Sequence, residues 1–357
     1  MKKLFIKVNK SIISQDNPTY FIADIAANHN GSIEKAIDLI FMAKEAGADA
    51  AKFQHFKADT IVSKKTFSKM NNKLSHQKNW SKSIYDVYKA AAINWDWTEK
   101  LVSSCKKAKI DFFTAPYDID YIDKINKYVP AYKVGSGDIT WNESLIHIAK
   151  KNKPVFLATG ASSIQDVKRA YKIINKINNK ICIMQCNTNY TGTRDNFKFI
   201  NLNVLKQYKK LFPKAILGLS DHTPGHATVL GAISLGARVI EKHFTYSNKA
   251  IGPDHNFSMN PKTWKEMICR SRELELSLGV PQKKVEKNEI ETVILQRRAA
   301  HLTKDLKKND RIKKENLIFL RPSLKNSVQP YELKKVLSKK IIKNKLAGEI
   351  LLWKDLK

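Results

Sequence analysis

Eight stretches of this sequence end an apolar run on polar residues, and the types found there are those that hold anions, protons and metal ions. Asp24 and Asn28 follow the first run, Lys52 and Gln54 the second, and Thr114 the third. Lys133 ends the fourth, just before Gly135-Ser136-Gly137-Asp138, and Thr159-Gly160 end the fifth. Asn187 to Tyr190 close the sixth, Ser220-Asp221-His222 the seventh and Glu241-Lys242-His243 the eighth. The ammonium groups of Lys52 and Lys133, the hydroxyls of Thr114, Ser136 and Ser220, and the amides of the glycine-rich turns together suit phosphate and carboxylate. The ligand they predict is a small dianion or trianion. His222 and His243 end neighbouring predicted strands, where two imidazoles can share one divalent ion while leaving positions open for water and substrate, as a Lewis acid requires. The remaining histidines, including His29, His55 and His255, are expected to be ordinary hydrogen-bonded residues.

Convergence of these residues demands a parallel sheet wrapped by helices, and the sequence has that alternation from Tyr20 to about Leu278. The predicted strands are Tyr20 to Ala26, Ala50 to Gln54, Asp111 to Thr114, Ala131 to Val134, Val155 to Ala158, Ile181 to Cys186, Ile216 to Leu219 and Val239 to Lys242. Between them, Ile33, Ala36, Ile37, Ile40 and Ala43 mark one helical face, and Val167, Ala170, Tyr171, Ile174 and Ile177 another. Thr223-Pro224 and Asn260-Pro261 place a capping side chain before a proline at a helix start, and Ser162 with Gln165 has capping-box spacing. Strand-helix pairs of this number and length predict an α/β fold, a (β/α)₈ TIM barrel over residues 1–280, with its site where the strands end. An open doubly wound sheet is the alternative, but no GxGxxG turn follows the first strand. Lys57 to Trp97 is too long for an ordinary loop, so it is expected to be functional or to carry a helix around Ile84 to Ala92.

Pro281 to Glu291 is charged and without apolar period, and predicts a linker over residues 281–296. From 297 to 357 a small β-rich domain is expected, with an internal echo: Asn309, Ile312, Asn316 and Leu317 recur as Gly348, Leu351, Asp355 and Leu356, which suits two similar hairpins packed on each other. The opening MKKLFIKVNK has too short and too lysine-broken an apolar run for a leader, and no later stretch could span a bilayer, so a cytoplasmic protein is expected. Cys105, Cys182, Cys186 and Cys269 lack paired zinc spacing and read as free thiols. The formal charge of +31 would by itself suggest nucleic acid. Its lysines are spread singly or in pairs without a basic stripe interleaved with aromatics, so neither nucleic acid nor membrane is the expected partner. The positive field instead favours an anionic substrate.

Blocks spanning the chain from Tyr20 to its end resemble the sialic acid synthase family, including its legionaminic and pseudaminic acid synthases: FIADIAANHNGS, GADAAKFQHFKADT, FFTAPYD, PAYKVGSGDIT, KPVFLATGAS, LGLSDHTPG, GARVIEKHFT and GPDHNFSM. The tail resembles that family's antifreeze-like or SAF domain through RRAAHLTKDLKKND, FLRPS and LAGEILLWKDL. The resemblance implies condensation of phosphoenolpyruvate with an N-acylated amino sugar and water, giving a nonulosonic acid and phosphate. It implies that Lys52, Thr114, Lys133, Ser136, Thr159 and Ser220 hold phosphoenolpyruvate, and that His222 and His243 hold a divalent metal, by expectation manganese, with magnesium or cobalt as substitutes. Asn79, Tyr190 and Asp254 match positions around the sugar. A domain-swapped homodimer is implied, in which Arg321 of LRPS reaches the partner's sugar site. Asp24, Lys52, Lys133 and His243 are the expected catalytic residues, with Asp24 in the place of a usual glutamate.

This sequence departs from the family pattern at three places. Asp24 is one methylene shorter, Ala158 stands where serine is common, and CNTNYTG replaces the usual sixth-strand block. The phosphate site is expected to be depleted and the sugar side remodelled, which suits a modified amino sugar. Competing readings are a Schiff-base keto-acid aldolase using Lys133 or Lys242, and a catalytically degenerate barrel that binds carbohydrate.

Overall fold

The computed structural model describes residues 4–70 and 74–357, apart from the side chains of Ser75 and Asn79. The chain forms two compact units, residues 1–279 and 280–357. In the first, β1 (Phe5–Val8) and β2 (Ser11–Ser14) make an antiparallel hairpin. Eight parallel strands follow: β3 (Tyr20–Asp24), β4 (Ala50–His55), β5 (Asp111–Pro116), β6 (Tyr132–Val134), β7 (Val155–Ala158), β8 (Ile181–Cys186), β9 (Ile216–Asp221) and β10 (Val239–His243). Their order is β5-β4-β3-β10-β9-β8-β7-β6, and β5 and β6 lie side by side without a ladder, so the barrel is nearly closed. The predicted barrel is therefore the observed fold, with strand ends displaced by a residue or two.

Side chains alternate across each strand, and in a barrel wrapped by helices both faces are buried. The outward set, including Phe21, Ala51, Phe53, Leu157 and Ile240, packs under the helices. The inward set, including Ile22, Ala50, Phe113, Phe156, Met184 and Val239, fills the barrel floor together with Ile6, Val8 and Ile13 of the hairpin. The hairpin thus plugs one end of the barrel, leaving the other end for a site. Gly218 is needed inside: a Cβ there would lie 2.9 Å from both Met184 Cγ and the Val239 carbonyl oxygen.

Helices form where the apolar faces predict, over Ile33–Glu45 and Ile164–Asn175. Asn260 caps Pro261–Leu278 through a capping box with Thr263. Two predicted starts need correction. The box before Ile164 is Ser163 with Asp166, one residue beyond Ser162, and Thr223-Pro224 opens no helix. The Thr223 hydroxyl bonds Asp221 at 2.8 Å instead, and the helix begins at Ala227. Lys57 to Trp97 folds into short helices, among them Ala58–Ile61, Lys64–Lys69 and Ile84–Ala91. No helix of the described residues is long and apolar enough to cross a membrane.

The second unit begins with a helix, Ile290–Gln296, inside the expected linker. Its paired strands are β11 (Ala299–Leu302) and β12 (Leu317–Leu320), over a core of Ala300, Leu306, Ile312, Val336, Ile341 and Leu351. The sequence echo is a structural repeat. Leu306 and Lys345 exchange both backbone hydrogen bonds at 2.9 Å. Asp305 Oδ1 accepts from the Ala347 amide, and its counterpart Asn344 Oδ1 from the Lys308 amide, each at 2.8 Å. Asn309 and Gly348 both turn the chain at positive φ, 73° and 80°. Asn316 and Asp355 then close matching turns on the amides of Lys313 and Leu352, at 2.9 and 3.1 Å.

Candidate functional site

Strand parity decides which of the polar strand ends share a space. Inward positions bring Asp24, Lys52, Gln54, Lys133, Ala158, Cys186, Ser220, Glu241 and His243 to one cavity of about 420 Å³ at the barrel mouth. His222, Gly135 to Asp138, Tyr190 and Asp254 complete its rim from the loops. Across one side lies the insertion, through Ile61, His76, Trp80, Val87, Tyr88 and Ala91. The long segment that interrupts the second strand-helix unit is therefore a wall of the site.

The floor of the cavity is a chain of buried charges. Lys52 Nζ stands 2.6 Å from Asp24 Oδ2 and 3.5 Å from Glu241 Oε1, while Lys133 Nζ is 3.1 Å from that same Glu241 oxygen. Ser220 Oγ donates to Glu241 at 3.2 Å and Gln54 Nε2 to Asp24 at 3.3 Å. Burial would raise the Glu241 carboxyl, but Lys133 and Lys52 outweigh it and hold it down at about 2. The opposite balance holds at Asp24: burial raises its pKa, Lys52 only partly offsets this, and Glu241 adds to the rise. For Lys52, burial disfavours the ammonium, yet Asp24 and Glu241 keep its pKa above the ordinary lysine value. One carboxylate is thus a fixed counter-charge, and the other is poised to carry a proton.

His222 and His243 face each other with ring centroids 5.3 Å apart. Burial lowers both to about 3, so both are neutral imidazoles with lone pairs to offer. His222 Nδ1 is engaged by the Asn187 carbonyl at 2.9 Å, which leaves its Nε2 for a ligand. His243 Nδ1 is buried without a hydrogen-bond partner among the described residues. Among the described residues no group of three or more His, Cys, Asp or Glu side chains is placed to hold a metal ion. The free nitrogens of His222 and His243 fit an ion held by two imidazoles with its other positions open. Tyr190 packs against both rings, at 4.3 and 6.0 Å, and Asp254 Oδ2 stands 3.8 Å from His243 Nδ1. Burial raises the Asp254 carboxyl to about 7.

Of the residues expected to bind the anion, Lys52, Lys133, Ser136 and Ser220 line the cavity, but Thr114 and Thr159 do not. Both threonines fall on the outward face of their strands. The Thr114 hydroxyl meets His55 Nδ1 at 2.8 Å and the Phe53 carbonyl at 3.1 Å. Thr159 Oγ1 donates to the Met184 carbonyl at 2.9 Å and accepts from Tyr208. The inward neighbours are Ala115 and Ala158, which carry no hydroxyl. Lys242 also points outward, where it pairs with buried Asp221 and reaches the Thr223 carbonyl, so it is misplaced for a Schiff base with a ligand in the cavity. Of the residues expected around a sugar, Tyr190 and Asp254 line the cavity; Asn79 belongs to the turn Ser75–Asn79, but its side chain lies outside the described residues. Arg321 lies exposed in the second unit, at its cis bond to Pro322.

Sequence reasoning names Glu241 as a strand-end residue but gives it no role, although it joins both lysines. The signal that finds it is parity: His243 can reach the mouth only if Glu241, two residues earlier, is inward as well. It also misses the Asp221–Lys242 clamp behind the site, where Thr223 and Thr228 donate to Asp221 at 2.8 and 2.7 Å and so brace the turn that carries His222.

The NeuB family matches residues 39–283 and the SAF domain residues 297–357. The N,N'-diacetyllegionaminic acid synthase of Legionella pneumophila is 34% identical over 346 residues, which is 94% of this chain and 94% of that protein. The N-acetylneuraminate-9-phosphate synthase of Homo sapiens is 31% identical over 276 residues, 76% of this chain and 75% of that protein. Among solved structures, spore coat polysaccharide biosynthesis protein SpsE from Bacillus subtilis superposes with a TM-score of 0.65 at 27% identity, covering 99% of each chain. With its barrel, its polar mouth and these relatives in agreement, the chain belongs to the NeuB family and carries a SAF domain at its C-terminal end.

Proposed function

We propose that this chain is a transferase that condenses phosphoenolpyruvate with an open-chain N-acylated amino sugar and water, releasing phosphate and a nonulosonic acid, in the cytoplasm. The observation that carries this reading is the meeting of Lys52 and Lys133 with His222 and His243 in one cavity. Lys133, Ser136, Ser220 and the amides of the Gly135 turn bind the phosphate and carboxylate. Lys52, paired with both Asp24 and Glu241, steadies charge where the new carbon-carbon bond forms. A divalent ion, by expectation manganese, would be held by His222 and His243 and would supply Lewis acidity at the sugar carbonyl. Asp24 Oδ2, beside Lys52 and 3.6 Å from His243 Nε2, holds or passes the proton of the water that adds to the enol carbon. Phosphate then leaves by carbon-oxygen cleavage. Tyr190 and Asp254 hold the sugar.

A second cavity of about 340 Å³ supports a modified sugar. It shares Ala27, Trp80, Val87, Ala91 and Pro253 with the first, and its own wall sets Ala90 and Ile251 beside Asn30, Ser81 and Lys82, a mixed surface suited to an acyl substituent with an apolar and a polar side. We further assign Arg321 to the sugar's N-acyl group across a domain-swapped homodimer; an Arg321→Ala protein with unchanged sugar affinity would remove that assignment.

The test is to incubate the purified protein with phosphoenolpyruvate, manganese and a panel of amino sugars, then measure released phosphate and product mass. Turnover should be abolished by a chelator and restored by manganese. Best turnover with plain N-acetylmannosamine would refute the modified-sugar reading. A borohydride-trapped lysine adduct without phosphate release would refute the condensation.

A further inference from the structure

Tyr117 follows the end of β5, and its phenol leans over the glycine-rich turn that leaves β6. A Cβ built on Gly135 would fall 2.7 Å from Tyr117 Oη and 3.0 Å from its Cε1, so only glycine leaves this ring its place. Phe56 meets the ring edge to face at 6.2 Å, and Phe56 is itself packed on Tyr88 of the insertion at 5.7 Å. The ring is thus held by Phe56 as well as by the turn. Tyr117 lines the main cavity beside Gly135, Ser136 and Gly137, and among the described residues its hydroxyl makes no hydrogen bond.

This end of the cavity is short of donors. Ala115 and Ala158 occupy the inward positions of β5 and β7, while the adjacent Thr114 and Thr159 face outward and are bonded elsewhere. Ser220 must turn its one hydroxyl hydrogen away from Glu241 to serve the anion. Ser136 Oγ accepts from the Gly160 amide at 3.0 Å, leaving one hydroxyl hydrogen to give. A substrate that carries both a phosphate dianion and a carboxylate offers more lone pairs than two serines, the amides of the Gly135 turn and two shared ammonium groups can meet.

We propose that Tyr117 is a substrate-binding residue, its Oη donating to a phosphate oxygen of the anionic substrate seated over Gly135 and standing in for the hydroxyls that Ala115 and Ala158 lack. The inference rests on phosphoenolpyruvate as the anion. Burial pushes the phenol well up from its ordinary value, with Tyr190 and the cavity carboxylates adding to the rise, so it keeps the proton it must donate.

Tyr117→Phe retains the ring and its packing while removing the donor. Phosphoenolpyruvate affinity, read as Kd from tryptophan fluorescence and as KM from phosphate release, should weaken about tenfold, with sugar KM changed less than about twofold. Adding Ala158→Ser to Tyr117→Phe should recover part of that loss, because a hydroxyl returns to the same end of the cavity. A Tyr117→Phe protein whose phosphoenolpyruvate Kd stays within about twofold of the parent, or whose loss falls on the sugar alone, overturns the proposal. If the parent protein itself fails to bind phosphoenolpyruvate, the reading of the substrate has failed, and this inference with it.

Discussion

Glu241→Gln tests the charge chain at its middle. The amide keeps the shape and can still accept from Ser220, but it withdraws the counter-charge from two buried ammonium groups. Lys52 retains Asp24 at 2.6 Å, whereas the ion pair of Lys133 among the described residues is with Glu241 alone, at 3.1 Å. With the Glu241 and Lys133 side chains only 5% and 4% exposed, water cannot replace that partner. Breaking a buried pair from one side costs about 3 to 5 kcal/mol, and the retained oxygen argues for the lower figure, about 3 kcal/mol. At roughly 2 °C per kcal/mol for a domain of this size, the melting temperature should fall by about 6 °C. Differential scanning calorimetry with and without phosphoenolpyruvate is the assay. The ligand's phosphate would meet an uncompensated ammonium in the variant, so saturating phosphoenolpyruvate should raise melting more in Glu241→Gln than in the parent. A variant that melts within about 1 °C of the parent, or that gains less from the ligand, would refute the reasoning.

Two further outcomes follow from strand parity and burial. Thr114→Val should leave the phosphoenolpyruvate KM within about twofold while costing about 1 kcal/mol of stability in urea unfolding, because its hydroxyl serves His55 and a carbonyl and not the cavity. Asp138, raised to about 6 by burial, keeps its proton in the folded state after the unfolded chain has lost it near 4. The folded state is therefore favoured at low pH, and this contribution is lost as pH rises from about 4 to about 6; Asp138→Asn should flatten that part of the stability profile measured by chemical denaturation.

Much of the fold is legible because each barrel strand is a short apolar run that stops at a charge. VIEKH and AAKFQH announce both a strand and a strand end. Which residue points inward is a different question, and a sheet buried on both faces gives no polar-apolar alternation to answer it. DFFTAP carries nothing that tells Thr114 from Ala115, so the threonine reads as a ligand although it faces the helices. In VIEKH the parity is readable only once His243 is assigned to the mouth, and then Glu241 and Lys242 sort themselves to opposite sides. The opening hairpin hides for another reason: neither FIKV nor SIIS alternates polar with apolar residues, and weighed only as a leader the opening shows lysines in the wrong places. The cavity wall made by Trp80, Val87 and Tyr88 depends on how the long insertion folds back, and no local pattern specifies that.

The duplicated clasp of the C-terminal unit makes its two halves mutually dependent. Asp305 closes a turn that belongs to Ala347, and Asn344 returns the favour to Lys308. Each half also closes its own bend, Lys307 with Asp310 and Leu346 with Glu349, so a protein cut short before Asn344 would keep the bend around Asn309 but lose the cap on the Lys308 amide. Twin lesions, Asp305→Ala and Asn344→Ala, should accordingly weaken the unit to similar degrees even though they lie on opposite arms of the chain.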